Sequence, residues 1–518
     1  MSDMVDVVQV GYGPVGQVLA SLLGRAGHTV TVLERHATLY GVSRAGTIDH
    51  EAMRILQSLG VASPLEPKLA PTLGMNLLGA DGGLLAKLSV ERDSVSGWHS
   101  AYQLYQPDME QLLDQTARAT PGVEILQGWD VTTIEQHSDH VEVVSTHRTT
   151  GERRIDRGRY VVGADGANSV VRQVAGIELE DFGYVGPWLV CDFELLKANA
   201  PLPFAADFRC DPARPTLAGR WLGRRHSRME FMVLPDEDPA RFDSEDVCWD
   251  LAAPYGLVPA SSRLVRHAVY QFRSLLAERW RSGRAILVGD SAHVMPPFMG
   301  QGMCSGFRDA INLAWKLDLV LHGTASEDLL DVYTRERRPH IEQVIRASMG
   351  VGWLVSVTDE AEAAERDSEL REFGLPPVPD FPILIDGAFH RDTTGSILPG
   401  GGTLGRQSVV ERSGERGRLG EVAGQGWQIL TRLPVDVSAL TPRNRELLAT
   451  VGVQIIELSP APGAAEYLDV EMDYEQWFNG LGANLVVVRP DFYVYSALES
   501  VDELGAALDS LRSELCLL

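Results

Sequence analysis

The sequence predicts an α/β protein: a parallel sheet flanked by helices, interrupted by an antiparallel layer and followed by a smaller α/β unit. Three observations carry this. An apolar run at residues 5–10 (VDVVQV) leads into Gly11-Tyr12-Gly13-Pro14-Val15-Gly16 and a helical pattern, and a second apolar strand, HTVTVLER, follows. That order is a strand–helix–strand unit with parallel strands. Between residues 181 and 270 the pattern changes to short segments, WLVCDFEL, RMEFMVLP and LVRHAVYQF, which read as antiparallel strands. RAILVGD at 284–290 then returns to the buried-strand style, so the second region is inserted into the first.

In chain order, the first strand runs into the glycine turn, and residues 15–26 form a helix before the second strand. DHEAMRILQSLG and QPDMEQLLDQTARAT place apolar residues at helical spacing, and the stretch from VEILQGW to VVGAD reads as a β-meander. After the inserted layer, GMCSGFRDAINLAWKLDLVLHG predicts a long helix, and 326–355 continue as helices. Residues 359–402 are acidic and then rich in Pro and Gly (FGLPPVPDFP, ILPGGGTLG), which predicts a linker. Strand-like GWQILTRL, GVQIIEL and ANLVVVRPDFYVY and the amphipathic SVDELGAALDSLRSEL predict a separate α/β domain over 403–518. A chain of 518 residues divides into two or three cores. The expected boundaries are 1–180 and 271–358 for the two parts of the first domain, 181–270 for the inserted sheet, then the linker and the tail domain.

The formal net charge of −25 repels nucleic acid and anionic lipid, so neither is an expected partner. Cys191, Cys210, Cys248, Cys304 and Cys516 show no C-x-x-C spacing, which argues against a zinc site or a redox dithiol. They read as small buried hydrophobes in a reducing compartment. Met-Ser-Asp leads straight into the first strand, and no apolar run reaches membrane-spanning length. The expectation is a cytoplasmic enzyme.

In the first motif, Gly11 allows the tight turn, Gly13 lets backbone approach a pyrophosphate and Gly16 lets helix pack on strand. The free N–H groups of the helix N-terminus meet the phosphates. Glu34 ends the second strand, where it accepts hydrogen bonds from a ribose diol and opposes a ribose phosphate. This motif alone leaves NAD and the ADP half of FAD both open. Two further motifs separate them. YVVGADGANSVVRQ closes a buried strand with Asp165-Gly166, and AILVGDSAHVMPPFMGQGMCSGFRDAINLAWKL sets Asp290 at a strand end. Pro296-Pro297 and Gly300-Gln301-Gly302 then open a long helix, whose N-terminus stabilises negative charge on a reduced ring.

In this order of motifs the chain resembles the class A, single-component flavoprotein aromatic hydroxylases, in particular the 3-(3-hydroxyphenyl)propionate hydroxylase branch. CDPARPT and RRHSRMEFMVLP in the inserted region fit that branch. The resemblance implies a Rossmann-like FAD domain of the p-hydroxybenzoate hydroxylase type, with an inserted substrate-binding sheet and a thioredoxin-like tail. That tail lacks a cysteine pair here. The resemblance also implies tightly bound FAD, NADH or NADPH bound transiently, O2 as co-substrate, and a homodimer. It further implies that oxygen is transferred to the ring of a small phenol through a flavin C4a-hydroperoxide.

Residue by residue, the resemblance assigns Gly11, Gly13, Gly16, Glu34 and Arg35 to the ADP half and Arg44 to the pyrophosphate. Gln106 falls near the ribityl chain. Asp165, Asp290, Gly300, Gln301, Gly302 and Met303 form the flavin cradle, with Met295 and Met299 as apolar packing near the ring. Pro297 sits beside the reacting edge, and His293 orients by hydrogen bonding. Phenolate is the better nucleophile, so a base gains rate, and Asp49 or His50 is the candidate. Arg209, Arg220, Arg224, Arg225 and Arg228 are candidates for a substrate carboxylate, which a guanidinium fork matches. A small phenolic acid such as a 3-hydroxyphenylpropionate is the expected substrate. A polycyclic polyketide or antibiotic is the alternative, and a flavin-containing ligand-binding protein the remoter one. A disulfide reductase is disfavoured by the absent cysteine pair.

Overall fold

The computed structural model describes residues 4–72, 74–89, 93–197, 207–375 and 383–517, and only the backbone of 220 and 221. Val5–Val10 is the centre of the first sheet. It pairs in parallel with Arg153–Gly163 on one side and Val30–Glu34 on the other, and Ala285–Leu287 and Val123–Gln127 extend the parallel set outward. These strands are apolar on both faces, with Val7, Val8, Val32, Val161, Val162 and Ile286 fully buried, because helices cover both sides. Val10 lies opposite Gly163 and Leu33. Four strands therefore end together, and the turns that follow them carry Gly11, Arg35, Asp165 and Asp290. Crevices at the carboxyl ends of parallel strands are where this architecture binds ligands.

Gly11 has φ of 97°, and a Cβ there would stand 2.3 Å from the Ala164 carbonyl oxygen. Only glycine lets the two turns approach so closely. The helix Pro14–Arg25 starts directly after it, with proline at its first position. The long helix Gly302–Leu321 is buried along nearly its whole length, packed against the helices Pro14–Arg25, His50–Ser58 and Leu329–Val355.

The second sheet runs in the order His293–Val294, Ser262–Ala277, Leu179–Leu195, His226–Met232, Thr216–Leu222, Asp207–Arg209, Gly74–Leu78, Leu84–Ser89. It recruits two strands from 74–89, outside the expected 181–270 boundary, by parallel pairing of Gly74–Leu78 with Asp207–Arg209. Its faces alternate. Leu189, Cys191, Phe193, Ala218, Met229 and Phe231 pack outward against the helix Glu245–Ala252. Phe208, Leu217 and Glu230 form a cross-strand row on the other face.

The stretch 359–402, expected as a linker, carries the helix Glu360–Phe373. Asp359 caps it by accepting from the N–H groups of Ala361 and Glu362. The acidic composition read as linker consists of good helix formers behind a capping aspartate. Beyond it, the tail domain builds a mixed sheet in the order Glu415–Arg418, Val409–Arg412, Tyr467–Asp469, Gln454–Ser459, Gln428–Thr431, Leu485–Val488, Val494–Leu498. The tail is fastened to the main body by a buried charge cluster. Arg489 donates to Glu336 at 2.7 Å and to Asp491 at 2.6 Å, and Lys316 donates to Glu336 at 2.7 Å. Trp427 meets Trp315 edge-on at 5.6 Å above it. All five cysteines are free thiols. No helix among the described residues is long and apolar enough to cross a membrane.

Candidate active site

A cavity of about 470 Å³ follows the strand ends. It starts between Glu34, Gln127 and Trp129, passes Gly11, Gly13, Arg44, Asp165 and Asp290, and ends against the second sheet at Met75, Phe208, Leu217, Arg228 and Glu230. Its far wall is Met295, Pro297, Phe298, Gly300, Gly302 and Met303. The three motifs thus meet in one elongated space that joins the two sheets.

At the first end, Gly13 precedes the helix Pro14–Arg25 with no side chain capping it, and the space over its Cα is open. The helix N–H groups there suit a pyrophosphate. Glu34 accepts from the N–H groups of Tyr12 at 2.8 Å and His36 at 2.7 Å, which fixes its carboxylate beside the turn. Arg35 is exposed at the mouth. Gly16 lies behind the turn, against Gln9 and the Gly11 carbonyl, and packs the helix on the strand.

Arg44 owes its position to a clamp on residues 43–45. Gln106 accepts from the N–H groups of Arg44 at 2.9 Å and Ala45 at 2.7 Å, and its own N–H donates to Ser43. From the other side Arg228 donates to the carbonyls of Arg44 at 2.6 Å and Ser43 at 2.8 Å, and Arg266 donates to Ser43 as well. The Arg44 guanidinium stands over the Tyr40 ring, on the cavity wall.

Asp165 accepts from the N–H groups of Val170 and Val171 through one oxygen, while its Oδ1 is buried without a partner. Burial raises its carboxyl, and the hydrogen bonds from Ser169 and the backbone only partly oppose that. Asp290 opens onto the cavity and is met by no donor among the described residues. The protein around it raises its carboxyl too, against the pull of His293 and Arg44. His293 itself lies behind the cavity wall and bonds Asp309 at 2.7 Å; Asp309 also takes the Gly289 N–H, which holds the turn bearing Asp290. Ser348 donates to the Pro296 carbonyl at 2.6 Å and fixes the proline turn. Gly300 has φ of 63°, and a Cβ there would stand 1.9 Å from Thr47 Oγ1. Gln301 lies outside the lining, its Oε1 taken by Arg308 at 3.1 Å. The N–H groups of Gly302 and Met303 open the long helix without a side-chain cap.

This arrangement fits FAD. It offers uncapped helix N-termini at two points along one space, an arginine between them, and two carboxylates with oxygens that lack donors.

The base and carboxylate candidates are placed differently. Asp49 caps the helix His50–Ser58 through the Ala52 N–H and bonds Arg308 at 2.6 Å, so both its oxygens are engaged behind the wall. Burial disfavours its charge, but Arg308 outweighs that and holds the carboxyl below its usual range. His50 bonds Ser96 at 3.1 Å, and burial lowers its imidazole. Neither lines the cavity. Alternation would put Asp49 on the face of Thr47, which lines the cavity, but Asp49 is the N-cap of the next helix and its carboxylate turns to the Ala52 N–H and Arg308 instead. Arg209 stacks on Tyr255 on the outer face, because Phe208 takes the inner one. Arg224 and Arg225 sit exposed in the turn before His226–Met232, bonded to the Leu69 carbonyl and to Glu194. The side chain of Arg220 lies outside the described residues. Arg228 does line the cavity, but Asp192 takes its fork at 2.7 and 2.9 Å and the 43–45 loop takes its other bonds. Sequence reading missed Asp192, Glu230 and Asp309. The signal available for Glu230 was an acid two positions after Arg228 in a strand otherwise apolar at that end.

The FAD binding domain family model matches residues 4–348, and an HcaD C-terminal domain model matches 402–514. A probable NADH-specific resorcinol 4-hydroxylase of Rhodococcus jostii is 36% identical over 514 residues, spanning 98% of this chain and 94% of that protein. A 3-(3-hydroxy-phenyl)propionate/3-hydroxycinnamic acid hydroxylase of Klebsiella pneumoniae is 33% identical over 99% of this chain and 95% of its own. Among solved structures, aklavinone-11 hydroxylase with FAD and aklavinone superposes with a TM-score of 0.78 at 25% identity, covering 99% of both chains. The flavin-dependent monooxygenase PieE, with FAD and substrate, superposes with a TM-score of 0.79 at 21% identity over 99% of both. The motifs, the cavity that joins them and a family model over most of the sequence agree: the chain belongs to the FAD binding domain family and is an FAD-dependent aromatic hydroxylase, a monooxygenase.

Proposed function

We propose that the chain hydroxylates a small, single-ring phenol with NADH as electron donor and O2 as co-substrate. The observation that carries the size limit is the end of the cavity. Phe298 closes it, packed by Tyr184, Trp188, Phe208 and Phe272 at centroid distances of 5.7, 5.6, 6.2 and 6.1 Å. A polycyclic substrate needs room behind the inserted sheet, and that room is filled with aromatic side chains. The named activities of the two relatives, on resorcinol and on hydroxyphenylpropionate, support the same class, and the first supports NADH.

FAD, when bound, supplies hydride acceptance and oxygen activation. It would be held by Gly11, Gly13, Glu34 and Arg35 at its ADP half. Arg44, Gln106, Asp165 and Asp290 would hold the linking chain, and Gly300, Gly302 and Met303 the ring. Pro297, fixed through Ser348, and Phe298 exclude water at the ring end. Buried free thiols support a reducing, cytoplasmic setting. A homodimer remains part of the reading, and light scattering tests it. The functional test follows NADH and NADPH oxidation by the FAD-loaded enzyme with resorcinol, 3-(3-hydroxyphenyl)propionate and aklavinone. NADH oxidation stimulated by a single-ring phenol, with a product one oxygen heavier, is the expected result. Stimulation by aklavinone alone overturns the reading.

A further inference from the structure

The wall of the cavity holds one acid that the cofactor reading does not use. Glu230 lies on the inner face of the second sheet, in the row Phe208, Leu217, Glu230, next to the aromatic end. It is 4% exposed, and its Oε2 is buried with no hydrogen-bond partner. A buried carboxylate oxygen left without a donor is costly, and such groups mark sites where a ligand completes the bonding. The Arg228 guanidinium comes within 4.0 Å of Oε1 but spends its hydrogen bonds on Asp192 and the 43–45 loop. It therefore tempers the charge of Glu230 without satisfying it.

We propose that Glu230 is a catalytic residue that receives a ring hydroxyl of the substrate, Oε2 accepting first its hydrogen bond and then its proton. This rests on the small-phenol reading above and narrows it. The two carboxylate oxygens exchange places by rotation about a soft terminal torsion, so a free oxygen reaches the ring without backbone movement. In the step, the substrate O–H bond breaks and an Oε2–H bond forms. Negative charge passes from the carboxylate to the phenolate oxygen, and nothing is oxidised or reduced. The ring carbons ortho and para to that oxygen become the better nucleophiles. In resorcinol two symmetry-equivalent carbons are each ortho to one hydroxyl and para to the other, so a proton taken from either hydroxyl leads to the same product.

The same geometry selects the substrate class. A carboxylate brought against Glu230 would bury a second negative charge beside the first, while a hydroxyl supplies the missing donor. The site thus fits neutral dihydroxybenzenes better than phenolic acids. Burial pushes the Glu230 carboxyl up to about 7; Arg228 and Arg266 pull it down and Asp192 adds to the rise. Among the described residues the charged groups acting on it are these three, from its own strand and the two strands beyond, and its neighbours in register are apolar Leu217 and Val190. A base in that range is matched to neutral pH.

The test uses the FAD-loaded enzyme with Glu230→Gln and Glu230→Leu, and resorcinol and 3-(3-hydroxyphenyl)propionate as probes. Binding is read by calorimetry, turnover by product mass. Both variants lose roughly a hundredfold in kcat/KM for resorcinol. The rise of kcat/KM as pH climbs through the carboxyl's titration disappears, and binding of the acid tightens relative to resorcinol. Wild-type kcat/KM and pH profile in Glu230→Gln overturn the proposal. If the variants do not retain FAD, the wild type decides: a kcat/KM for resorcinol flat across about pH 5 to 9 overturns it. Turnover of aklavinone alone sinks the small-phenol reading, and Glu230→Gln assayed on that substrate then judges the base separately.

Discussion

Replacing Arg228 by Met distinguishes two roles that a cavity arginine can play. If it binds a substrate carboxylate, the variant raises KM for phenolic acids and leaves the protein otherwise sound. The structure gives a different expectation. Arg228 is 5% exposed, holds both oxygens of Asp192, which is 2% exposed, and ties down the carbonyls of Ser43 and Arg44. Methionine keeps much of the volume but strands Asp192 as a buried charge, with only Arg266 at 3.9 Å in reserve. Breaking a buried pair on one side costs about 3–5 kcal/mol. Part returns if Asp192 takes up a proton. The loop then loses two of its bonds, and with them the fixed position of Arg44. Denaturant unfolding monitored by tryptophan fluorescence should show a loss of about that size, and fluorescence of released flavin should show weaker FAD retention. A variant of unchanged stability and unchanged FAD affinity, with only KM for acids raised, would refute the reasoning.

Gly300→Ala forces a side chain into a left-handed position and onto Thr47, at a conformational cost of about 1–2 kcal/mol before the clash; faster flavin release on dilution is the expected result. Glu230 makes stability depend on pH. Its folded carboxyl titrates near 7 against an ordinary 4.5, so its contribution is fully present below 4.5 and is lost as pH rises through 7. About 3 kcal/mol should disappear between about pH 5 and pH 8 in the wild type, and thermal unfolding of Glu230→Gln should lack that fall. Arg489→Met leaves Glu336 and Asp491 facing each other across the Asn312 amide, with Lys316 on Glu336 as the remaining cation, which loosens the tail domain; limited proteolysis should then cut within residues 383–402, where the wild type resists.

Much of the cofactor end was legible because glycine turns at strand ends leave little choice of geometry. Gly11, Asp165 and Asp290 sit where the parallel register brings strand ends together, and that register follows from apolar runs of the right length. The substrate end was not legible, because side-chain direction on a strand depends on a register that sequence does not print. One step along the strand separates Phe208 on the cavity from Arg209 on the outer face, and Arg224, Arg225 and Arg228 are spent on Asp192, Glu194 and backbone carbonyls. Asp49 was misread for a related reason: an acid before a helical run is first of all a cap. The helix Glu360–Phe373 was hidden by composition, since acidic helix formers behind Asp359 look like a solvated connector. The inserted sheet's two strands from 74–89 join by parallel pairing across a long sequence gap, which no local pattern reveals.

The clamp on residues 43–45 also bears on how such an enzyme changes its substrate over generations. Besides Glu230, the inner face of the second sheet carries two kinds of position. Met75, Phe208 and Leu217 touch the cavity with apolar groups alone, and their exchange alters shape without cutting any tether. Arg228 stands among them but anchors the segment that presents Arg44. A lineage, or an engineer, broadening substrate scope on this surface has free movement at the first three and meets loss of the flavin at the fourth. Substrate choice and cofactor retention are thus separable traits everywhere on that wall except where one guanidinium joins them.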